Sequence, residues 1–470
     1  DWRTSLGQYP VNWATHNSYR AVPDSTTSSD LTGGNWEHIT RTGVNWANDY
    51  PFTVAASNDL EHRRAAQCAA KLRTLQFLYY VQKVLGKTDW SVANDEGFNT
   101  PFNIEENLCV EIPDEFKDIE KNLPQMPYVR ESRRIIGLYT LTGGDIKRVG
   151  YPAIAQKAFK SALAVGDYSV DLHKCNEAAT LESELESPDD VPDGFVSGPF
   201  QVPFEVFIPM AVDGFLAAEK NLSTSRLASG ACRLQPITML TGQAAGVIAA
   251  LSVQQDMQPR HLSPILVQSE LLAAGSRLTL ESFGDVPKDA VFWSDVQLAA
   301  VHEIMKGDAN GLFHPDDTAS RAEAAAVIAR LFDLSIDSPP EAPSFGDVPV
   351  SEWYFSYIEA LEMSGLATGC STEPPMYCPG KTQTRSGFAK MLANGLGLDL
   401  ASPAHEPSWL DVDTGHPEFR EIEALTKAGI LKPCAASERL FCPSAPLNRS
   451  DMAGLVARSL IFGAERAPAP

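Results

Sequence analysis

The chain has 470 residues, 44% hydrophobic and 21% charged, with a formal net charge of −22. That length holds roughly two to four domains, and the balance excludes a disordered or fibrous chain. The acidic excess, offset by no basic cluster, excludes nucleic acid and anionic lipid surfaces as partners. No apolar run is read as approaching the roughly 20 residues of a bilayer span, so no membrane span is expected. The chain opens on Asp1 rather than Met, which reads as a point of proteolytic processing.

In chain order, GVNWANDYPF at 43–52 gathers Trp46, Asn48, Asp49 and Tyr50. These types line pockets and equally fill cores, and Trp46 is taken as a substrate-side candidate. LEHRRAAQCAAKLRTLQFLYYVQKVLG at 60–86 has helical periodicity, with Asp59 as cap, Gly86 as stop and Phe77, Tyr79 and Tyr80 assigned to the core. YVRESRR brings Arg130, Arg133 and Arg134 together, either to clamp a carboxylate or phosphate or to pair with neighbouring acids; Arg130 is the substrate-side choice.

SALAVGDYSVDLH at 161–173 reads as a strand that ends on His173. An imidazole titrates near working pH, so His173 is the candidate for moving a proton, against the alternative of a hydrogen-bonded structural histidine. GFLAAEK at 214–220 reads as a buried strand. After it, NLSTSRLASGACRLQP leads into a helix beginning near Ile237 with Gly242, Ala244, Ala245 and Gly246 on its early turns. A helix N-terminus offers unpaired N–H groups and partial positive charge, which suits the electron-rich edge of a reduced flavin, and small residues let the backbone approach a flat ring. The same spacing also suits a tight helix–sheet contact. Residues 256–280 read as a linker with a short helix.

The last third repeats itself. FGDVPKDAVFW at 283–293 recurs as FGDVPVSEWYF at 345–355 and WLDVDTGHPEF at 409–419, placing Asp285, Asp347 and Asp411 in register. Each unit then reaches a polar residue and an arginine, Ser320-Arg321, Thr384-Arg385 and Asn448-Arg449, followed by apolar residues at helical spacing. Ser, Thr and Asn are helix N-caps, so each unit is predicted to be a helix, a loop and a second helix, over 281–340, 341–402 and 403–465. Cys370 with Cys378 and Cys434 with Cys442 share one spacing in two of the units and are predicted to be disulfides, in an oxidising compartment; no metal site is expected. Cys68, Cys109, Cys175 and Cys232 read as small buried hydrophobes.

These units resemble S-layer homology (SLH) repeats. The resemblance implies an all-α three-repeat bundle able to hold cell-wall polysaccharide, with Arg321, Arg385 and Arg449 among the binding residues. The glutamate of the family's arginine step survives only as Glu323; Gly387 and Asp451 stand at the equivalent places.

LAAEKNLSTSRLASGACRLQPITMLTGQAAG, PYVRESRRIIGLY and DYSVDLHKC resemble the C-terminal part of FAD-dependent oxidoreductases with a glutathione-reductase-like FAD-binding fold. This implies an α/β (α+β) portion over 1–255, FAD as cofactor, and Asn221, Gly230, Arg233, Ile237, Thr238 and Met239 on the flavin side. No GxGxxG follows a strand, and LTGG at 31–34 and LTGGDIKRVG at 141–150 lack its spacing. The expectation is therefore a portion lacking its N-terminal dinucleotide-binding βαβ unit, which lies on another polypeptide or on an upstream part cut away from this one and completes the site as a second chain in a heterodimer. An extracellular or cell-envelope flavoprotein acting on a small-molecule substrate is expected, with a wall-binding scaffold as the alternative.

Overall fold

The computed structural model describes residues 38–39, 58–83, 88, 91–92, 97–106, 108–123, 133–149, 154–155, 157–172, 182–190, 196–401, 406–434 and 439–466. The chain forms two compact units, residues 1–130 with 174–178, and residues 131–173 with 179–470.

In the first unit, β1 (His38–Ile39) pairs in parallel with β2 (Ser91–Val92) on either side of α1 (Leu60–Lys83). A β–α–β connection is thus present here, although no GxGxxG accompanies it. Asp59 caps α1 by accepting from the His62 amide at 2.9 Å. Leu75 and Leu78 are buried, but Tyr79 is 52% exposed, which corrects its assignment to the core; the side chains of Phe77 and Tyr80 lie outside the described residues. After α2 (Pro101–Glu106), α3 (Lys117–Glu120) buries Glu120 completely. Its carboxylate accepts from the Cys109 amide at 2.8 Å and faces Lys117 at 3.3 Å and Lys71 at 3.5 Å. Cys109 is disulfide-bonded to Cys68, correcting the reading of these two as separate hydrophobes. The partners stand 41 residues apart, with no repeated spacing to reveal them.

The second unit begins with an extended run over 133–141. It exchanges backbone bonds with 208–210 on one side and with 221–225 on the other. α4 (Gly143–Ile146) follows, then the short antiparallel pair β3 (Arg148–Val149) and β4 (Ile154–Ala155). β5 (Ala162–Gly166) and β6 (Phe200–Pro203) form a second antiparallel pair, buried almost throughout. The strand expected over 214–220 is not formed. Gly214 and Glu219 both adopt left-handed backbone, at φ +66° and +58°, and such residues break an extended run. An irregular stretch and a 3₁₀ turn at Glu219–Asn221 stand there instead.

α5 (Arg226–Cys232) starts at Ser225, whose hydroxyl accepts from the Ala228 amide. α6 (Gln235–Gln254) begins two residues before Ile237 and carries no charged residue. By length and composition it is apolar enough to cross a membrane, correcting the reading that no such run exists. Within this fold it packs one face, through Ile237, Ala244 and Ile248, into the core around β5. The stretch expected as a linker contains α7 (Pro264–Ala273), packed on α6 and β5.

Three helix–loop–helix units follow: α8 (Trp293–Val301) with α9 (Arg321–Leu331), α10 (Phe355–Met363) with α11 (Arg385–Gly395), and α12 (Phe419–Lys427) with α13 (Arg449–Arg466). The repeated aspartates have one job. Asp285 accepts from the amides of Phe313 and His314, Asp347 from Tyr377 and Cys378, and Asp411 from Phe441 and Cys442, all at 2.6–2.9 Å. His314, Cys378 and Cys442 are each held at positive φ by this grip. Above it, Phe283 meets Phe313, Phe345 meets Tyr377 and Trp409 meets Phe441, with ring centroids 5.4–5.8 Å apart. The N-caps are as expected: Ser320, Thr384 and Asn448 accept from the amides of Glu323, Gly387 and Asp451. Cys370–Cys378 and Cys434–Cys442 are both disulfides. The first of these loops folds into a hairpin, β7 (Ser371–Thr372) with β8 (Pro375–Met376), so the bundle is not purely helical. Cys175 lies outside the described residues, and Cys232 is a buried free thiol pushed up to about 12 by desolvation.

Chain-entropy arguments rank the bridges by loop length: roughly 4 kcal/mol for Cys68–Cys109 and roughly 2.5 kcal/mol for each short one. Cys68→Ala/Cys109→Ala is therefore expected to lower the denaturation midpoint more than Cys370→Ala/Cys378→Ala, measured in urea. A second expectation concerns His302, partly buried after α8, whose ring contacts Gln268 at 2.9 Å. Burial, aided by Lys160, lowers its pKa to about 4. The unfolded chain then binds the extra proton first, so stability is full above about pH 6.5 and falls toward pH 4, by up to about 1.4 kcal/mol per pH unit. Melting curves of wild type and His302→Gln across that window should diverge on these terms.

Candidate functional site

The site expected around the cofactor divides in two. Asn221 is exposed at the end of its 3₁₀ turn; its side-chain amide donates to the Arg133 carbonyl at 2.5 Å, and its own carbonyl accepts from the Ile135 amide at 3.0 Å. Behind it, α6 opens at Leu234 without a side-chain cap, with Pro236 in its first turn. Thr238 is partly exposed and donates to the Gln235 carbonyl, and Met239 is 75% exposed. Gly242 and Gly246 continue this side of the helix. A methyl on Gly242 would meet only Glu219, at 4.0 Å, and one on Gly246 would meet nothing. Pro236 has no amide hydrogen, and the Ile237 and Thr238 amides donate to the Leu234 carbonyl, so the open feature here is the bare face of Gly242 and Gly246, which leaves room for a flat ring.

Gly230, Arg233 and Ile237 lie on the inner side. Ile237 is a core residue. Arg233 is 1% exposed, donates to the Asp171 carbonyl and stands 3.7 Å from the Asp171 carboxylate. The Gly230 carbonyl accepts from the Asp171 amide at 3.2 Å, and a Cβ there would press on Leu172 at 3.0 Å and Val170 at 3.1 Å. Together they fasten residues 170–172, the stretch that runs directly into His173. His173, Arg130 and Trp46 themselves lie outside the described residues. Asp171 was not singled out from the sequence; its place two residues before a candidate histidine was the available signal.

Other acids organise the same region. Glu186 accepts from the Gly143 amide at 2.8 Å and from the Ser225 hydroxyl, tying the start of α5 to α4. Arg134 pairs with Glu182, whose second oxygen accepts from the Arg226 amide at 2.8 Å, so the acid-pairing alternative holds for this arginine. Tyr139 donates to Asp145 and accepts from Lys157 at 2.6 Å; burial, the first of several causes, raises the phenol's pKa.

The sequence profile described as FAD dependent oxidoreductase matches residues 2–271, more than half of the chain. The chain belongs to the FAD dependent oxidoreductase family. Membership implies FAD as the cofactor. This oxidoreductase region is followed by an S-layer homology domain at 282–325. Over 197 residues the chain is 29% identical to a surface-layer 125 kDa protein of Lysinibacillus sphaericus, covering 42% of this chain and 16% of that protein. It is 33% identical over 171 residues to an S-layer protein of Bacillus anthracis, covering 35% and 18%. It is 29% identical over 165 residues to a cellulosome-anchoring protein of Acetivibrio thermocellus, covering 34% and 36%. The chain thus spans well under half the length of these relatives.

In this family member the three repeated arginines reach from one unit into the next. Arg321 donates to the carbonyls of Tyr377 (2.9 Å) and Thr368, Arg385 to those of Phe441 (2.9 Å) and Lys432 (3.0 Å), and Arg449 to those of Phe313 (2.8 Å) and Lys306 (2.9 Å). Each guanidinium also lies 4.5–5.1 Å from the centroid of the aromatic ring it reaches. The third unit clasps the first, so the units close in a circle. Arg385, 5% exposed, adds an ion pair with Asp451 at 2.7 Å. A groove of about 180 Å³ runs past Arg321, Thr368, Thr384, Gly387, Lys390 and Glu418.

Two substitutions test these assignments. Gly230→Ala is expected to cost roughly 1–3 kcal/mol by overpacking against 170–172, read by thermal unfolding. Arg385→Ala is expected to cost roughly 2–4 kcal/mol, and more than Arg321→Ala, because its carbonyl partners and Asp451 lose a buried donor.

Proposed function

We propose that this chain is the flavin-closing part of an oxidoreductase of the cell envelope, which oxidises a small organic substrate by hydride transfer and is attached to wall polysaccharide by three SLH repeats. One observation carries the catalytic reading: the uncapped start of α6 and its bare glycine face lie beside the exposed Asn221, in a chain of the FAD dependent oxidoreductase family. FAD, when bound, supplies the hydride acceptor. Asn221, Thr238 and Met239 would border it, with the positive end of the α6 dipole and the bare face of Gly242 and Gly246 on the same side. Arg233 and Gly230 act as positioning residues by holding 170–172. His173 takes the proton from the substrate hydroxyl or amine, while Arg130 and Trp46 orient the substrate. The pyrophosphate grip, which needs the glycine loop that the sequence lacks, comes from a partner chain in a permanent heterodimer. The S-layer and anchoring relatives support the envelope location and the wall attachment, for which the Arg321 groove offers a cation and hydroxyl groups.

A second reading, a wall-binding scaffold whose flavin region is not catalytic, draws on the same missing glycine loop. Purified protein separates the two. The oxidoreductase reading expects bound flavin by visible absorbance, bleaching under anaerobic substrate, and a second chain on a denaturing gel. His173→Asn should keep the flavin spectrum and lose roughly 100-fold or more in turnover. A colourless protein that still sediments with purified envelope would favour the scaffold.

A further inference from the structure

Between Ala273 of α7 and the first repeat the chain does not behave as a tether. Ser276, Leu278 and Thr279 are buried, and α7 itself is shared between two cores. Val267 and Leu271 belong to the oxidoreductase core, whereas Leu272 joins Leu278 and Ala162 of β5 in the core of the repeats. α7 packs against α6 and β5 on one side and against α8 and α13 on the other.

Three buried glutamines bond across and beside this junction. The Gln268 side-chain amide donates to the carbonyls of Lys160 (2.7 Å) and Ala162 (3.0 Å), and its oxygen meets the His302 ring at 2.9 Å. Gln201 of β6 donates to the Leu278 carbonyl at 2.7 Å and accepts from the Phe159 amide at 2.7 Å. Gln297 of α8 accepts from the Thr279 hydroxyl at 3.0 Å. All three glutamines are at most 3% exposed. A purely apolar contact tolerates sliding and rotation. The Gln268–His302 and Thr279–Gln297 bonds, which cross from this side to α8 and its end, do not, because any other docking leaves those groups without partners in a dry interface.

We infer that the α8–α13 face of the repeat ring is a docking surface whose occupant is this chain's own α7 with the end of β5, making the ring a rigid mount instead of a flexible anchor. Docking stands on the junction alone. Its consequence, that helix α6 is held at one fixed angle to whatever surface the ring grips, rests on the function proposed above.

The test uses the full chain with a specific protease site inserted between Glu281 and Ser282, both exposed. After cleavage the two pieces are expected to elute together at the volume of the uncut protein and to melt in one transition. Pieces that separate on the column, or that melt independently, overturn the inference whatever the flavin content. Gln268→Ala in the cleavable protein is expected to weaken association of the pieces at least about tenfold, since His302 of the second piece loses its buried partner in the first. Unchanged association would also overturn it. Circular dichroism of the uncut variant, unchanged in helical signal, assigns the loss to docking.

Discussion

An arginine that donates two hydrogen bonds into the loop of the following unit is the interaction on which the repeat ring depends. Alone, each unit is two helices and a loop, too little surface to close a core. The loop carbonyls of Tyr377, Phe441 and Phe313 need a donor, and each finds it in the preceding unit's arginine. The aspartates work from the other side of the same loops, gripping the amides. Amide and carbonyl of one short segment are thereby satisfied by two charged groups of opposite sign. That is why both residues recur in all three units, and why these arginines bear on stability before they bear on any ligand.

The oxidoreductase region follows a different logic. The α6 residues proposed for the flavin side fall on two faces of the helix: Thr238, Met239, Gly242 and Gly246 toward solvent, Ile237 toward the core. Arg233 and Gly230 act one step back, through Asp171. A buried arginine with a carbonyl and a carboxylate partner is an effective splint for a loop, because its planar fork fixes direction as well as distance.

What was legible beforehand follows from how local each signal is. The repeats could be read because aspartate, aromatic and arginine recur at fixed offsets, and the two short disulfides because one spacing occurs twice. The helix over 60–83 and its Asp59 cap were equally plain. Cys68–Cys109 and Arg233–Asp171 were not, since their partners lie 41 and 62 residues apart with no pattern between them. The false strand at 214–220 came from an apolar run whose left-handed Gly214 and Glu219 leave no mark in composition. α6 does not stand out as a long apolar helix because its glycines, threonines and glutamines interrupt the aliphatic residues.

The circular clasp also dictates an order of events in folding. Arg449 bonds to residues 136 and 143 positions earlier, so the loop of the first unit stays open until the last helix exists. Contacts of such long range form late and slowly. α8, the face on which α7 docks, belongs to that first unit and packs directly against α13. The oxidoreductase region therefore receives its finished floor only after α13 has been made, and a ribosome-bound intermediate would expose Leu272 and Leu278 until then.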